Sequence, residues 1–423
     1  MTLFEVGEPI PLGVVPDRMY AAVIRPDRYG EPSAAFQTEI IDVPPLGRRQ
    51  VLVRVMAAGV NYNNVWASLG TPVDVVAARR RRGAQEDFHI GGSDASGVVW
   101  AVGEDVRSVA VGDHVILSGI RFDEHGEDVR LGADPASSLS ASAWGYEDNF
   151  GSFAQFTAID DYQCHPKPAN LTWEEASSFL LTAATAYRQL CGWHPHVVRP
   201  GDPVLIWGGA GGLGSMAIQI TNVFGGIPIA VVSGEERADF CLKLGARGVI
   251  DRRDFDHWGR LPDIGDGSGL GTWMSGVRAF GRRFWDVLGE RRAPKIVLEH
   301  PGQDTIPTSL YLCDSGGMVV ICGGTSGYNA DVDLRFLWMR QKRLQGSHYA
   351  TLSHIRAVID LVATGRIDHC LSWTGRFDQI GHAHQMLHDN VHPLGNMSVL
   401  IGAPTAGLTT LPENALPEDG RHG

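Results

Sequence analysis

Short apolar runs bounded by Gly, Pro and Asp set the pattern of the first part of the chain. Val51-Leu52-Val53-Arg54-Val55, Gly97-Val98-Val99-Trp100-Ala101-Val102 and His114-Val115-Ile116-Leu117 have the length and the β-branched content of strands. At residue 172 the period changes. Thr172-Trp173-Glu174-Glu175 has the form of a capping box, with a Thr hydroxyl for the amide three residues on and Glu175 reaching back. Ala176, Phe179, Leu180 and Ala183 then recur at helical spacing, which predicts a helix from about 172 to 190.

From residue 203 apolar strands alternate with helical stretches. The strands are Val204-Leu205-Ile206-Trp207, Ile229-Ala230-Val231-Val232, Val249-Ile250, Ile296-Val297-Leu298, Met318-Val319-Val320-Ile321 and Leu344-Gln345-Gly346. Strands of this kind separated by helices predict an α/β fold with a parallel, doubly wound sheet. After a helix near 351–364, Met397-Ser398-Val399-Leu400-Ile401 reads as one more strand, returning to the first domain. The expected organisation is a mostly-β substrate domain in two pieces, 1–185 and 370–423, with a dinucleotide domain at 186–369 inserted in it. The stretch from Asp254 to Gly289 has several Gly and Trp residues and no clean strand, so it reads as an insertion. The last twenty residues, with three prolines, read as a loose tail.

Composition narrows the function. A chain of 423 residues with 43% hydrophobic and 20% charged residues is core-forming and long enough for two or three domains. With 36 basic and 48 acidic residues the net charge is −12, which argues against a nucleic-acid or anionic-membrane partner. The six cysteines are dispersed, with no C-x-x-C pair, and no secretory leader is seen, so they read as reduced thiols of a cytoplasmic protein. No apolar run is long enough to span a membrane. The 52 glycines are in excess, about 12% against an average near 7%, so their clusters matter.

The densest cluster, Gly208 to Gly214, follows one strand and precedes the apolar stretch Met216 to Val223. Gly209, Gly211 and Gly214 have the dinucleotide spacing, and Gly212 and Leu213 complete a helix start whose amides suit a pyrophosphate. The second strand ends at Ser233, with Arg237 one turn later, where an NAD site would place an acid. Ser233 and Arg237 could hold a 2′-phosphate, which favours NADPH. Glu235 and Glu236 would oppose a phosphate if they faced it; the alternative is that these charges are simply solvated.

The discontinuous domain, the glycine fingerprint and Val109-Ala110-Val111-Gly112-Asp113-His114-Val115 resemble the medium-chain dehydrogenase/reductase superfamily. That resemblance implies a GroES-like substrate domain with an inserted Rossmann domain. Its zinc alcohol dehydrogenases carry Gly-His-Glu where this chain has Gly92-Ser93-Asp94, and no catalytic Cys/His set or four-cysteine site can be assembled, so no zinc is expected. Hydride transfer to an activated alkene needs none.

More specifically the chain resembles the crotonyl-CoA carboxylase/reductase family, in Val60-Asn61-Tyr62-Asn63-Asn64-Val65-Trp66, Trp144 to Gly151, Thr182 to Leu190, Glu299-His300-Pro301-Gly302, Thr325-Ser326-Gly327-Tyr328, Arg335 to Met339 and Gly346-Ser347-His348. The resemblance implies hydride transfer from NADPH to the β-carbon of an enoyl-CoA and capture of CO2 at the α-carbon. It places the CO2 pocket at Asn63, Tyr146, Glu147 and His348: Asn63 and His348 as donors, Glu147 orienting His348, Tyr146 excluding protons. His300 and Pro301 are taken for the cofactor, and Gly323 and, by the resemblance, Arg335 for the substrate. At the end of the capped helix Thr185 is taken for the cofactor and Tyr187 and Arg188 for the substrate, with packing where the domains should meet as the equal alternative for these three. The small Gly323-Gly324 would admit acyl chains longer than crotonyl, while Arg79-Arg80-Arg81-Arg82 reads as a solvated face, with a contact to the coenzyme A phosphates as the alternative. A leader before Met19 and a stretch Gly70 to Gly91 that look short, and Asp148 where Thr is frequent, depart from the family pattern. The implied assembly is a homotetramer of paired dimers, or a homodimer. The rival readings are a non-carboxylating enoyl-CoA reductase or quinone oxidoreductase, and a nucleotide-binding protein without catalysis. Whether the product enters central carbon assimilation or supplies polyketide extender units stays open.

Overall fold

The computed structural model describes residues 2–411. The part of the expected C-terminal tail at 412–423 lies outside the described residues. Contacts divide the chain into two units, Met1–Leu181 with Thr351–Ala363 and Leu371–Gly423, and Thr182–Ala350 with Thr364–Cys370. The helix Leu352–Ala363 thus groups with the first unit rather than with the inserted segment.

The first unit is mostly β. Its largest sheet runs in the order Cys164–Pro166, His114–Leu117, Ala95–Val102, Gln50–Val60, Asn396–Leu400, Leu371–Gly375, with Phe156–Asp160 also paired to the long strand Gln50–Val60. That long strand is buried along almost its whole length. The late strand Asn396–Leu400 pairs antiparallel with it, Met397 opposite Val60, so the chain does return to its first domain. A three-stranded sheet of Gln37–Asp42, Arg18–Ile24 and His89–Ile90 completes the layer, over a core that includes Met19, Trp100, Phe153, Phe156 and Trp173.

The capping box is formed: Glu175 N donates to Thr172 Oγ1 and Thr172 N to Glu175 Oε2. The expected single helix is two, Trp173–Ser178 and Leu180–Cys191. The break has a cause. The amide of Leu181, which a continuous helix would give to the carbonyl four residues back, donates instead to Asp94 Oδ2 at 3.0 Å.

The second unit holds a six-stranded parallel sheet in the order Gly248–Asp251, Ile227–Val232, Pro203–Trp207, Ile296–Glu299, Met318–Ile321, Arg343–Gly346. This is the doubly wound dinucleotide-binding order, with the strand reversal beside Pro203–Trp207. All six expected strands are present. The expected insertion is corrected: Gly267–Leu288 is a 22-residue helix in the crossover from the third strand to the fourth. Trp273, Val277, Phe280, Phe284 and Leu288 form its buried stripe, and the Asp266 side chain accepts the Gly269 amide at its start. Its glycines hide this period, because they remove side chains without disturbing the stripe. Among the described residues no helix is long and apolar enough to cross a membrane.

Candidate active site

In the first unit, Asn63 and Asn64 open the short helix Asn63–Leu69 directly after the long strand. Asn63 Nδ2 donates to Ser93 Oγ at 2.8 Å, and Asn64 Nδ2 donates to Asn63 Oδ1 at 3.0 Å. Asn64 Oδ1 accepts the Gly92 amide at 3.2 Å, and Asn64 is fully buried. The segment Gly91-Gly92 can pass this close only as glycine, since a Cβ on Gly91 would run into Asn64 Oδ1. On its other side lies the turn carrying Tyr146 and Glu147. Ser152 N and Phe153 N donate to Gly92 O and Gly91 O, and a Cβ on Gly145 would overlap Gly92 O. The fold of this unit therefore brings Asn63, Ser93, and the Tyr146–Glu147 turn to one place, from segments distant in sequence.

Tyr146 is half-buried against the core of the unit, and Glu147 turns back so that its Oε2 accepts the Ala143 amide at 2.8 Å. Asp148 accepts the Ser142 hydroxyl at 2.5 Å and faces Arg121. Asp94, one residue beyond Ser93, is fully buried, and burial pushes its carboxyl up to about 8, so it is a neutral acid at neutral pH. Its Oδ1 has no hydrogen-bond partner, while Oδ2 takes the Leu181 amide. This donor chemistry does not suit zinc: a hydroxyl already engaged by an amide and a protonated carboxyl replace the His and Cys that zinc requires. Among the described residues, the group of His, Cys and carboxylate atoms close enough to share an ion is Glu31, His388 and Asp389, which pair with one another.

In the second unit, the helix Gly212–Val223 starts at Gly211 with no side-chain cap. Its first amides therefore remain for a ligand, as an anion site requires. The glycines divide into two kinds. A Cβ on Gly214 would collide with Gly208 O, and one on Gly209 would lie 2.6 Å from the Ala230 Cβ. On Gly211 it would meet nothing nearer than Gly208 O at 3.6 Å, so protein packing does not demand glycine there. A cradle left open in this way fits a dinucleotide pyrophosphate.

Ser233, just past the second strand, and Arg237, on the helix Glu235–Lys243 that follows, are half-buried, and Glu235 and Glu236 are exposed. Sequence reasoning missed Arg253, whose guanidinium would lie 3.6 Å from a Cβ on Gly234. Arg253 also pairs with Asp251, whose carboxyl it holds down to about 2. Its only sequence signal was a third-strand end rich in Arg and Asp.

The other second-unit candidates take distinct places. His300 lies with its ring against Gly208, and burial lowers it to about 4, so it is neutral. Pro301 O accepts both the amide and the hydroxyl of Ser326, at 2.8 Å each. Gly323 and Gly324 follow the fifth strand and approach Gly302. Beneath this turn Glu299 is fully buried, its carboxyl pushed up to about 8 by burial. The Thr305 hydroxyl donates to one of its oxygens, and the other has no partner. His348 is exposed just past the sixth strand. Thr185 is buried on the helix Leu180–Cys191. Tyr187 packs edge-on against Phe224 and the Arg188 guanidinium lies over Trp193, so both contribute to packing of this unit. Arg335 makes a two-pronged pair with Asp333 beside a groove of ≈ 560 Å³, where Arg260 is paired with Asp331.

The family model described as alcohol dehydrogenase GroES-like domain matches residues 47–169, and that described as zinc-binding dehydrogenase matches 212–364. The crotonyl-CoA carboxylase/reductase of Cereibacter sphaeroides is 47% identical over 408 residues, covering 96% of this chain and 93% of the relative. Among solved structures, the crotonyl-CoA carboxylase/reductase AntE in complex with NADP is 64% identical, with a TM-score of 0.92 over 95% of this chain and 99% of that one. The 2-octenoyl-CoA carboxylase reductase CinF in complex with NADP and 2-octenoyl-CoA is 33% identical, with a TM-score of 0.85 over 95% and 92%.

Proposed function

This chain belongs to the crotonyl-CoA carboxylase/reductase family, and from that premise we propose that it carries out NADPH-dependent reductive carboxylation of an enoyl-CoA to an alkylmalonyl-CoA. The observation that carries the reading is the match to the Cereibacter sphaeroides enzyme over 96% of this chain. Bound NADPH supplies the hydride that reduces the β-carbon of the enoyl thioester. The protein must then hold CO2 beside the α-carbon and keep protons from reaching it first.

For the cofactor, the uncapped helix at Gly211-Gly212-Leu213-Gly214 offers amides to the pyrophosphate, with Gly209 packing the loop on the sheet. Ser233 and Arg237, with Arg253, are the groups proposed for a 2′-phosphate, a choice supported by the exposure of Glu235 and Glu236 to solvent. Thr185, His300 and Pro301 are proposed for the nicotinamide end.

For CO2, an amide N–H of Asn63 and a ring N–H of His348 are the proposed donors. Donors aimed at oxygens that gain charge during the reaction stabilise the transition state more than the bound gas. Glu147 is proposed to orient His348, and Tyr146 to keep water from the enolate. Tyr187, Arg188, Gly323 and Arg335 are the proposed substrate contacts, and the packing of Tyr187 and Arg188 inside their own unit gives them the weakest support of the set.

The test is mass spectrometry of products from a panel of enoyl-CoAs incubated with NADPH and labelled bicarbonate. Label in an alkylmalonyl-CoA is the expected result. Unlabelled saturated acyl-CoA from every substrate would point to a plain reductase, and no NADPH consumption at all to a binding protein.

A further inference from the structure

We infer that Asn64 is a positioning residue that fixes which end of the Asn63 amide faces the reacting CO2, with Ser93 holding it in place. The inference rests on the reading of Asn63 as a CO2 donor.

An amide side chain presents an oxygen and a nitrogen of nearly the same shape, so its orientation is set by its partners. Here the partners leave one solution. The Gly92 backbone N–H can only donate, so the Asn64 atom 3.2 Å from it is the oxygen. Asn64 Nδ2 then points at Asn63, 3.0 Å away, and must meet an oxygen. Asn63 Nδ2 is thereby directed to Ser93 Oγ at 2.8 Å. Ser93 takes one of its two hydrogens, and the second has no acceptor among the described residues. Turning Asn63 over would set two Nδ2 groups against each other and present an oxygen where the carboxylate forms.

The fixed end of this relay is rigid. Asn64 is fully buried, and the Gly91-Gly92 backbone lies so close to its Oδ1 that a Cβ on Gly91 has no room. Gly92 is in turn clamped by Ser152, whose amide donates to its carbonyl. The orientation of a half-buried side chain is thus decided by a backbone N–H two residues removed in the network. A neutral relay with one allowed direction suits a site that must donate to a nascent anion without carrying charge itself.

The substitution Asn64→Asp tests the direction. Aspartate keeps the shape and still accepts from Gly92, but it offers oxygen where Asn64 offered N–H. Asn63 should then turn its nitrogen inward and its oxygen outward. The expected result is a fall of about tenfold or more in the ratio of carboxylated to reduced product, the usual cost of losing a hydrogen bond to a charged group, with a rise in the CO2 concentration needed for half-maximal carboxylation. Ser93→Ala removes the hold without reversing the direction and should lower the ratio by about threefold, within the usual cost of one neutral hydrogen bond. A general loss of structure would lower both products together and leave their ratio alone. Asn63→Leu is the control on the underlying reading. If it shifts the ratio and Asn64→Asp does not, the relay is overturned and the proposed function stands; if Asn63→Leu also leaves the ratio unchanged, the CO2 reading of Asn63 falls. Should Asn64→Asp fail to fold by its melting temperature, Ser93→Ala decides on the same readout, and an unchanged ratio overturns the relay.

Discussion

Asp94 and Glu299 are acids that the fold keeps protonated, one in each unit, both fully buried and both with one oxygen lacking a partner. Burial moves each to about 8. In the unfolded chain such groups release their proton near pH 4. Between about pH 4 and about pH 8 these two groups therefore bind more protons in the folded protein than in the unfolded one, and their own contribution to stability falls as pH rises. That contribution is whole below the unfolded value and is lost as pH climbs through the folded value. Below about pH 6.5 the buried neutral histidines His165, His257, His300 and His384, each lowered to about 4, act in the opposite sense. Melting temperatures measured from about pH 7 to about pH 8.5, above the range in which the histidines titrate, should decline, and Asp94→Asn or Glu299→Gln should each flatten the decline. An unchanged slope in both variants would rule this out. At this scale the sequence was only partly legible. Asn63, Tyr146, Glu147 and His348 stood out through the family resemblance. Asn64, Asp94 and Glu299 lay in quoted motifs yet drew no role, because their significance comes from partners such as Gly92, Leu181 and Thr305 whose contact exists only after folding.

Among elements, the helix Gly212–Val223 separates glycines that the fold needs from one that the ligand needs. Gly211 has an extended backbone, φ −84°, and room for a Cβ, so Gly211→Ala should fold with a nearly wild-type melting temperature. It should bind NADPH at least about tenfold more weakly, because the methyl group occupies the approach to the pyrophosphate. Gly214→Ala should instead cost about 1–3 kcal/mol of stability through its clash with Gly208 O. Calorimetry beside NADPH titration distinguishes the two, and equal melting temperatures for the two variants would refute the distinction. The four inner parallel strands were legible because buried strands are nearly unbroken apolar runs, whereas the edge strands Gly248–Asp251 and Arg343–Gly346 are half-exposed and carried a weaker signal. The helix Gly267–Leu288 was not, since five glycines and exposed arginines obscure a stripe that only the sheet behind it reveals. The break before Leu180 was equally hidden, for its cause is a carboxyl at residue 94.

For the whole molecule, the outer side of Arg343–Gly346 is an edge of the six-stranded sheet, with Leu344 exposed on it and Trp338 and Met339 exposed at 64% and 62% just before it. An unpaired edge flanked by exposed apolar side chains invites pairing with another chain. It supports the proposal of a homodimer or a homotetramer of paired dimers. Trp338→Asp should then lower the mass measured by light scattering at micromolar concentration, and an unchanged mass would remove this face from the assembly. The division of the chain into two units was legible from the return of the strand near 397, although its boundary at Leu181 and the membership of Leu352–Ala363 were not. That returning strand has one more consequence. Gln50–Val60 is made early, but its neighbour Asn396–Leu400 lies more than three hundred residues later. During synthesis the whole nucleotide unit emerges, and can close its own sheet, before the first unit receives the strand that seals its centre. The order of birth thus leaves an early strand waiting for its last partner, and the first unit cannot mature until translation is nearly finished.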